Sequence, residues 1–192
     1  MNIILASASP RRKDILDLFN VDYSIEISDI EEVFFDQFSP AINTMHVSYL
    51  KASKIAKDNC DSTILAADTV VSIGNKIFGK AKNSKDAFQM ICELSGKKHQ
   101  VITGFCILNI EKKLLYVDYV KTDVYFRNLS KNTIIKYIET NEYIDKAGAY
   151  AIQGKASILV DKIDGDYLNV VGFPISEINK VLIEYFSYDF LR

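Results

Sequence analysis

The sequence predicts a mixed α/β fold. Short apolar runs rich in β-branched residues alternate with amphipathic stretches, and two of those stretches open on a Ser-Pro pair. The segment from Gln100 to Phe126, dense in Val, Ile, Tyr and Phe, breaks strict strand–helix alternation and reads as two long antiparallel strands. The result is a mixed sheet with helices, with room for two lobes.

Asn2 to Ala6 reads as a buried strand. Ser9-Pro10 then starts a helix, serine as cap and proline at the first helical position, with Ile15, Leu16, Leu18 and Phe19 as its apolar face. Ser39-Pro40 repeats the signal for a helix to about Lys57, with Ile42, Met45, Tyr49, Leu50, Ile55 and Ala56 inward. TILAADTVVSI reads as a strand followed by a hairpin-like GNK turn. Ser84 caps a helix through AFQMICEL, closed by Ser95-Gly96. Ser130 caps another to about Thr140, and Pro174 opens the last toward Phe186.

The 192 residues suffice for one domain over 1–192, built as two small lobes sharing a sheet. Hydrophobic residues at 48% and charged residues at 25% are ordinary for a globular protein, and a net charge of -2 argues against general nucleic-acid binding. A small anion needs only a local positive cluster. Cys60, Cys92 and Cys106 match no metal or redox spacing, and His46 and His99 do not form an HExxH site. Ile3 to Ala8 is too short and lacks the basic start of a signal peptide, and no segment reaches membrane-spanning length, so a cytoplasmic protein is expected.

Five places carry candidate chemistry. In LASASPRRKDIL, Arg11 and Arg12 occupy a first helical turn, where cations oppose the dipole unless an anion binds. With the hydroxyls of Ser7 and Ser9 they suit a phosphate chain; the plainer reading is a cap with solvated arginines. In LAADTVV, Asp68 and Thr69 interrupt an apolar run, as a turn between two strands or as a buried carboxylate that needs a partner or a metal. Lys80 follows a glycine in FGKAK, and Glu31 and Glu32 are adjacent, so on a strand one of them faces each side. DKAGAYAIQGKASILVDKIDGDYLNVVGFP is rich in glycine and places Gln153 between Ile152 and Gly154, an amide in apolar surroundings suited to a base edge. Structurally the same stretch reads as a loop and two strands. No Walker A or GxGxxG motif occurs.

Taken together, LASASPRRKDIL, SDIEEVF, Lys51-Ala52, AADTVV, Gly79-Lys80, LSGKKHQVITG, YIETNEYIDKAGAYAIQG and KIDGDYLNVVGFPI resemble the Maf family of nucleotide pyrophosphatases, the septum-formation inhibitor proteins. The resemblance implies hydrolysis of a nucleoside triphosphate between the α- and β-phosphates. It also implies an elongated mixed β-sheet with flanking helices, like that of inosine triphosphatases, with a cleft between two lobes. It carries over Ser7, Arg11, Arg12, Lys51, Thr69 and Gln153 as substrate-binding residues, and Asp68, Glu32 and Lys80 as catalytic ones. Glu32 and Asp68 would hold a divalent cation, Mg²⁺ or Mn²⁺, and Asp68 would orient or deprotonate the attacking water. A nucleoside triphosphate is the implied partner, with a homodimer as the family's assembly and neither nucleic acid nor membrane involved. DKAGAYAIQG resembles the branch acting on dTTP, UTP and modified uridine nucleotides. The alternatives are the 7-methyl-GTP branch and a non-catalytic, nucleotide-binding regulator of division. Ala66 and Ala81 depart from the glycine and proline usual at those places, removing no functional group.

Overall fold

A computed structural model describes residues 1–191. The first strand, β1 (Ile3–Leu5), is wholly buried and runs parallel to both β2 (Ser24–Ile25) and β3 (Thr63–Ile73). A parallel strand flanked on both sides needs a continuous apolar run, which IIL and TILAA supply. β3 continues unbroken through Asp68 and Thr69, so no turn separates them. It then folds back at Gly74 (φ 57°) into antiparallel β4 (Lys76–Phe78).

β5 (Lys98–Asn109) and β6 (Leu114–Phe126) are neighbours joined by four residues, too short a link for a parallel pair. Antiparallel β7 (Val160–Asp164) completes a seven-stranded sheet in the order β2-β1-β3-β5-β6-β7, with β4 on β3. The helices are α1 (Pro10–Asp17), α2 (Pro40–Ala56), α3 (Ser84–Leu94), α4 (Lys131–Glu139), α5 (Tyr167–Val171) and α6 (Ile175–Phe186).

The residues fall into two compact units. The first comprises Met1–Asp68, Thr103–Val120 and Gly172 to the last described residue; the second comprises Thr69–Ile102 and Lys121–Val171.

In the first unit, α2 buries Ile55 and Ala56 as its apolar letters predict, but along the rest of its length it turns a different face inward. Ile42 and Tyr49 are exposed, Met45 and Leu50 half-buried, and the buried face is Asn43, Thr44, Val47, Ser48, Lys51, Ala52, Ile55 and Ala56. The cause is a close approach: a Cβ at Gly104 of β5 would lie 2.3 Å from the Thr44 carbonyl carbon. Only small side chains fit that contact. Their polar groups are met locally, Thr44 donating to the Ala41 carbonyl, Ser48 to that of Met45, and Asn43 to those of Phe35 and Phe38. In α1, Ile15 and Leu16 are buried, whereas Leu18, just past its end, is 69% exposed and Phe19 lies against Phe190. Ser9 makes no side-chain cap; its N–H instead donates to Ser7 Oγ at 3.2 Å. Glu31 and Glu32 lie on an irregular segment rather than a strand.

In the second unit one core joins Val71, Phe78, Ile91, Leu94, Val124, Phe126, Ile134 and Tyr150. Asn83, one residue before the expected Ser84, caps α3 by accepting from the Asp86 N–H at 2.9 Å. Ser130 caps α4 as expected. The stretch from Lys155 forms a 3₁₀ turn (Lys155–Leu159), then β7, then the short α5. The second expected strand there is a helix because Asp166 Oδ1 accepts from the Leu168 N–H and starts a helical turn. Cys60, Cys92 and Cys106 are free thiols. Among the described residues no helix is long and apolar enough to cross a membrane.

Candidate active site

The first unit gathers Ser7, Arg11, Arg12, Glu32, Lys51 and Asp68. The chain leaves β1 at Ala6, whose N–H donates to the Leu65 carbonyl, and turns at Ser7 and Ser9 into α1. Arg12, in the first turn, is buried: Nη1 donates to Ser7 Oγ at 2.9 Å and Nε to the Gly172 carbonyl at 2.9 Å. Ser7 Oγ accepts from both Arg12 and the Ser9 N–H, so its own proton is left to donate elsewhere.

Asp68 sits mid-strand on β3 at 6% exposure. Its Oδ1 accepts from Lys51 Nζ at 2.9 Å, and the same ammonium lies 2.6 Å from Glu32 Oε1. Asp68 Oδ2 is buried and has no hydrogen-bond partner. A carboxylate oxygen left bare inside a protein is costly unless something comes to meet it.

Burial pulls the Arg12 pKa down, the charge of Asp68 pushes it back up, Arg11 lowers it again and Glu32 raises it. Partial burial also lowers that of Arg11. Guanidinium keeps its proton throughout, so the cost appears as a demand for counter-charge. Three cations (Arg11, Arg12, Lys51) against two carboxylates (Glu32, Asp68) leave the cluster net positive. That excess suits a phosphate chain.

The second unit places Thr69, Lys80 and Gln153 separately. Thr69 follows Asp68 on β3 and is half-buried. Lys80 is exposed and bridges Ala147 in antiparallel fashion. Next to it the Gly148 N–H is shared between the carbonyls of Phe78 (3.1 Å) and Gly79 (3.0 Å). Gly148 has φ 65°, and a Cβ there would lie 2.8 Å from a Val71 methyl, so glycine is required twice over.

Gln153 departs from the expectation of an amide in apolar surroundings. It is exposed on a turn closed by the Gly154 N–H on the Ala151 carbonyl at 3.1 Å. Ile152 takes the core-facing place, with Ala156 and Leu159 buried beyond it, and the turn throws Gln153 outward. The segment before it is tied down by Tyr137, whose hydroxyl donates to the Ala149 carbonyl at 3.2 Å, and by a 2.8 Å bond between Tyr150 and His99 Nε2.

One positioning group escaped the residue-type reading: the Gly172 carbonyl that fixes Arg12. Only the glycine in VVGFP marked it.

Comparison with known proteins follows the same lines. The sequence profile of the family described as "Maf-like protein" matches residues 2–185. A dTTP/UTP pyrophosphatase of Clostridioides difficile is 44% identical over 187 residues, 97% of this chain and 96% of the relative. Its namesake in Alkaliphilus oremlandii is 46% identical over 190 residues, 98% of each chain, and that of Thermosipho africanus 47% identical over 182 residues, 95% and 92%. Among solved structures, a HAM1 protein from Coxiella burnetii aligns with TM-score 0.53 over 96% of this chain and 99% of its own, at 14% identity, a likeness of fold.

Proposed function

Because this chain belongs to the Maf-like protein family, we propose that it is a nucleoside triphosphate pyrophosphatase acting on dTTP and UTP, splitting the α–β phosphoanhydride to leave the monophosphate and pyrophosphate. The named relatives support the reaction and the bases. One observation in this chain carries the reading: a buried mid-strand carboxylate, Asp68, bonded to Lys51 through one oxygen, keeps the other without a partner beside a net-positive cluster.

In this reading Arg11, Arg12 and the Ser7 hydroxyl hold the phosphate chain. The guanidinium groups offset the charge that grows on the departing pyrophosphate. Arg12 is held in place for this by Ser7 and the Gly172 carbonyl before substrate arrives. Lys51 orients both carboxylates at once. Asp68 Oδ2 orients the attacking water and takes its proton. Within the second unit Lys80 offers a cation, Thr69 a hydroxyl, and Gln153 an amide that both donates and accepts, as a pyrimidine edge with O4 and N3–H requires.

Asp68 Oδ2 and Glu32 also fit a divalent cation, Mg²⁺ or Mn²⁺: both carboxylates are anchored on one ammonium, and one has an oxygen to spare. Among the described residues no group of three His, Cys, Asp or Glu side chains is arranged for a metal, so phosphate and water would complete its coordination. When bound, such a cation neutralises charge on the phosphate oxygens.

The experiment is pyrophosphate release with Mg²⁺ or Mn²⁺ across dTTP, UTP, CTP, 7-methyl-GTP and the purine triphosphates. Selective turnover of dTTP and UTP supports the proposal. Preference for 7-methyl-GTP moves the chain to that branch, and binding without turnover points to a regulator.

A further inference from the structure

We propose that Glu142 is the positioning residue for Gln153, and so governs which pyrimidine is accepted. The inference rests on the reading in which Gln153 meets the base.

Glu142 follows α4 on the turn before Tyr143, and its letter suggests an ordinary solvated acid. The structure half-buries it under the Gln153 turn. Its Oε2 accepts from the Ala156 N–H, at a long 3.4 Å, in the first turn of the 3₁₀ segment that follows Gln153. An acceptor there meets an amide that the turn cannot satisfy internally. The carboxylate also fills the space where a side chain on residue 154 would stand: a Cβ on Gly154 would lie 2.5 Å from Glu142 Cδ and from Oε2. Gly154 has φ -107°, which any residue adopts, so glycine is needed there for the approach of Glu142 and not for the backbone.

Gln153 is therefore held from two sides. Upstream, Tyr137 and His99 fix Ala149 and Tyr150. Downstream, Glu142 fixes Gly154 and Ala156. An exposed amide on a loose turn would not tell a uracil edge, acceptor plus donor, from the reversed pattern of cytosine, because turn and amide shift together to suit either. Pinning the backbone on both sides is what turns Gln153 into a discriminating group.

The test measures calorimetric binding of α,β-methylene-UTP and α,β-methylene-CTP, together with turnover of UTP and CTP, for the intact chain and for Glu142→Ala, Glu142→Gln, Gly154→Ala and Gln153→Ala. Glu142→Ala is expected to lower the uracil-over-cytosine preference about fivefold to tenfold, the scale of one lost directed hydrogen bond, with the loss in KM rather than kcat. Glu142→Gln, which keeps the acceptor, restores the preference to within about twofold. Gly154→Ala displaces only the mobile end of the Glu142 side chain, so it should fold and lose the preference by an independent route. The Glu142→Ala/Gln153→Ala double variant should match Gln153→Ala alone, since Glu142 acts through Gln153. Additive losses in that double variant overturn the proposal, as does an unaltered preference in Glu142→Ala. It also falls if the intact chain binds both analogues equally. Selective analogue binding without hydrolysis of any nucleotide leaves this inference standing and overturns the proposed reaction instead.

Discussion

The two units hold their candidate residues in opposite ways. In the first, side chains hold side chains: Lys51 joins Glu32 and Asp68, and Ser7 receives Arg12. In the second, what is held is the main chain that carries the candidates: Gly148 is bonded to Phe78 and Gly79, and Gly154 to Ala151, with Tyr137, His99 and Glu142 bracing the same stretch, while Lys80 and Gln153 reach into solvent. The difference reflects the cost of the charges. Buried ions need strong partners, and here these are opposite charges, a hydroxyl and the Gly172 carbonyl. Exposed groups need only to be aimed, and a turn does that. Damage in the first unit should therefore couple stability to activity, and damage in the second should separate them.

The largest expected effect is that of Asp68→Asn. The amide keeps the size and a bond to Lys51 but neither accepts a proton nor binds a hard cation well. Pyrophosphate release should fall by about a thousandfold or more, with circular dichroism unchanged. Retention of full turnover removes Asp68 from the chemistry.

Next is Lys51→Met, which leaves Asp68 buried without its ammonium. A loss of about 3–5 kcal/mol is expected in denaturant unfolding. Adding Asp68→Asn should recover much of that stability while turnover stays lost, because the orphaned charge has gone. If the double variant is no more stable than Lys51→Met, the pair is not what holds this unit.

Much of this was legible in the letters, and the failures have identifiable causes. Strands β1, β3, β5 and β6 and the Ser39 and Ser130 caps follow from local periodicity and hydroxyl placement. Arg11, Arg12 and Asp68 stood out because each is expensive where it lies. The buried face of α2 was not legible, because Gly104, some sixty residues away in sequence, decides it through one backbone contact. The Gly172 carbonyl left little trace, since a backbone acceptor has no letter of its own. Glu142 did not stand out, because its worth depends on the absence of a side chain at residue 154. In each case the missing information is a distant approach of main chain.

A pH effect tests the second unit. Burial pulls the His99 pKa from 6.5 down to about 4, while its ring bonds Tyr150 and packs edge-on against Phe126. The folded protein then keeps His99 neutral where the unfolded chain has already protonated it. Between about pH 6.5 and pH 4 the unfolded state binds more protons, so stability falls as pH falls through that window and levels off below it. The expected contribution is on the order of 3 kcal/mol at most. Urea midpoints at pH 7, 5.5 and 4.5 should fall less steeply in His99→Gln, and parallel slopes would show that His99 does not carry the effect. Gly148→Ala, which puts a methyl against Val71 at a positive φ, should cost about 1–3 kcal/mol in the same assay.

The smallest effect on stability is expected from Lys80→Met, and it bears most directly on the comparison. It removes the same charge as Lys51→Met, but from an exposed side chain whose place is set by the backbone bridge to Ala147. Losing a solvated ammonium leaves no buried carboxylate behind, so the unfolding free energy should move by less than about 0.5 kcal/mol. Turnover is another matter. If Lys80 meets the phosphates, kcat/KM should drop about tenfold or more, and raising the salt concentration should weaken the unaltered protein's nucleotide affinity more than the variant's. Were Lys80→Met to destabilise the protein as much as is expected of Lys51→Met, the second unit would be held by its charges after all. Were it to leave kcat/KM untouched, the bridge to Ala147 would be aiming a lysine at nothing.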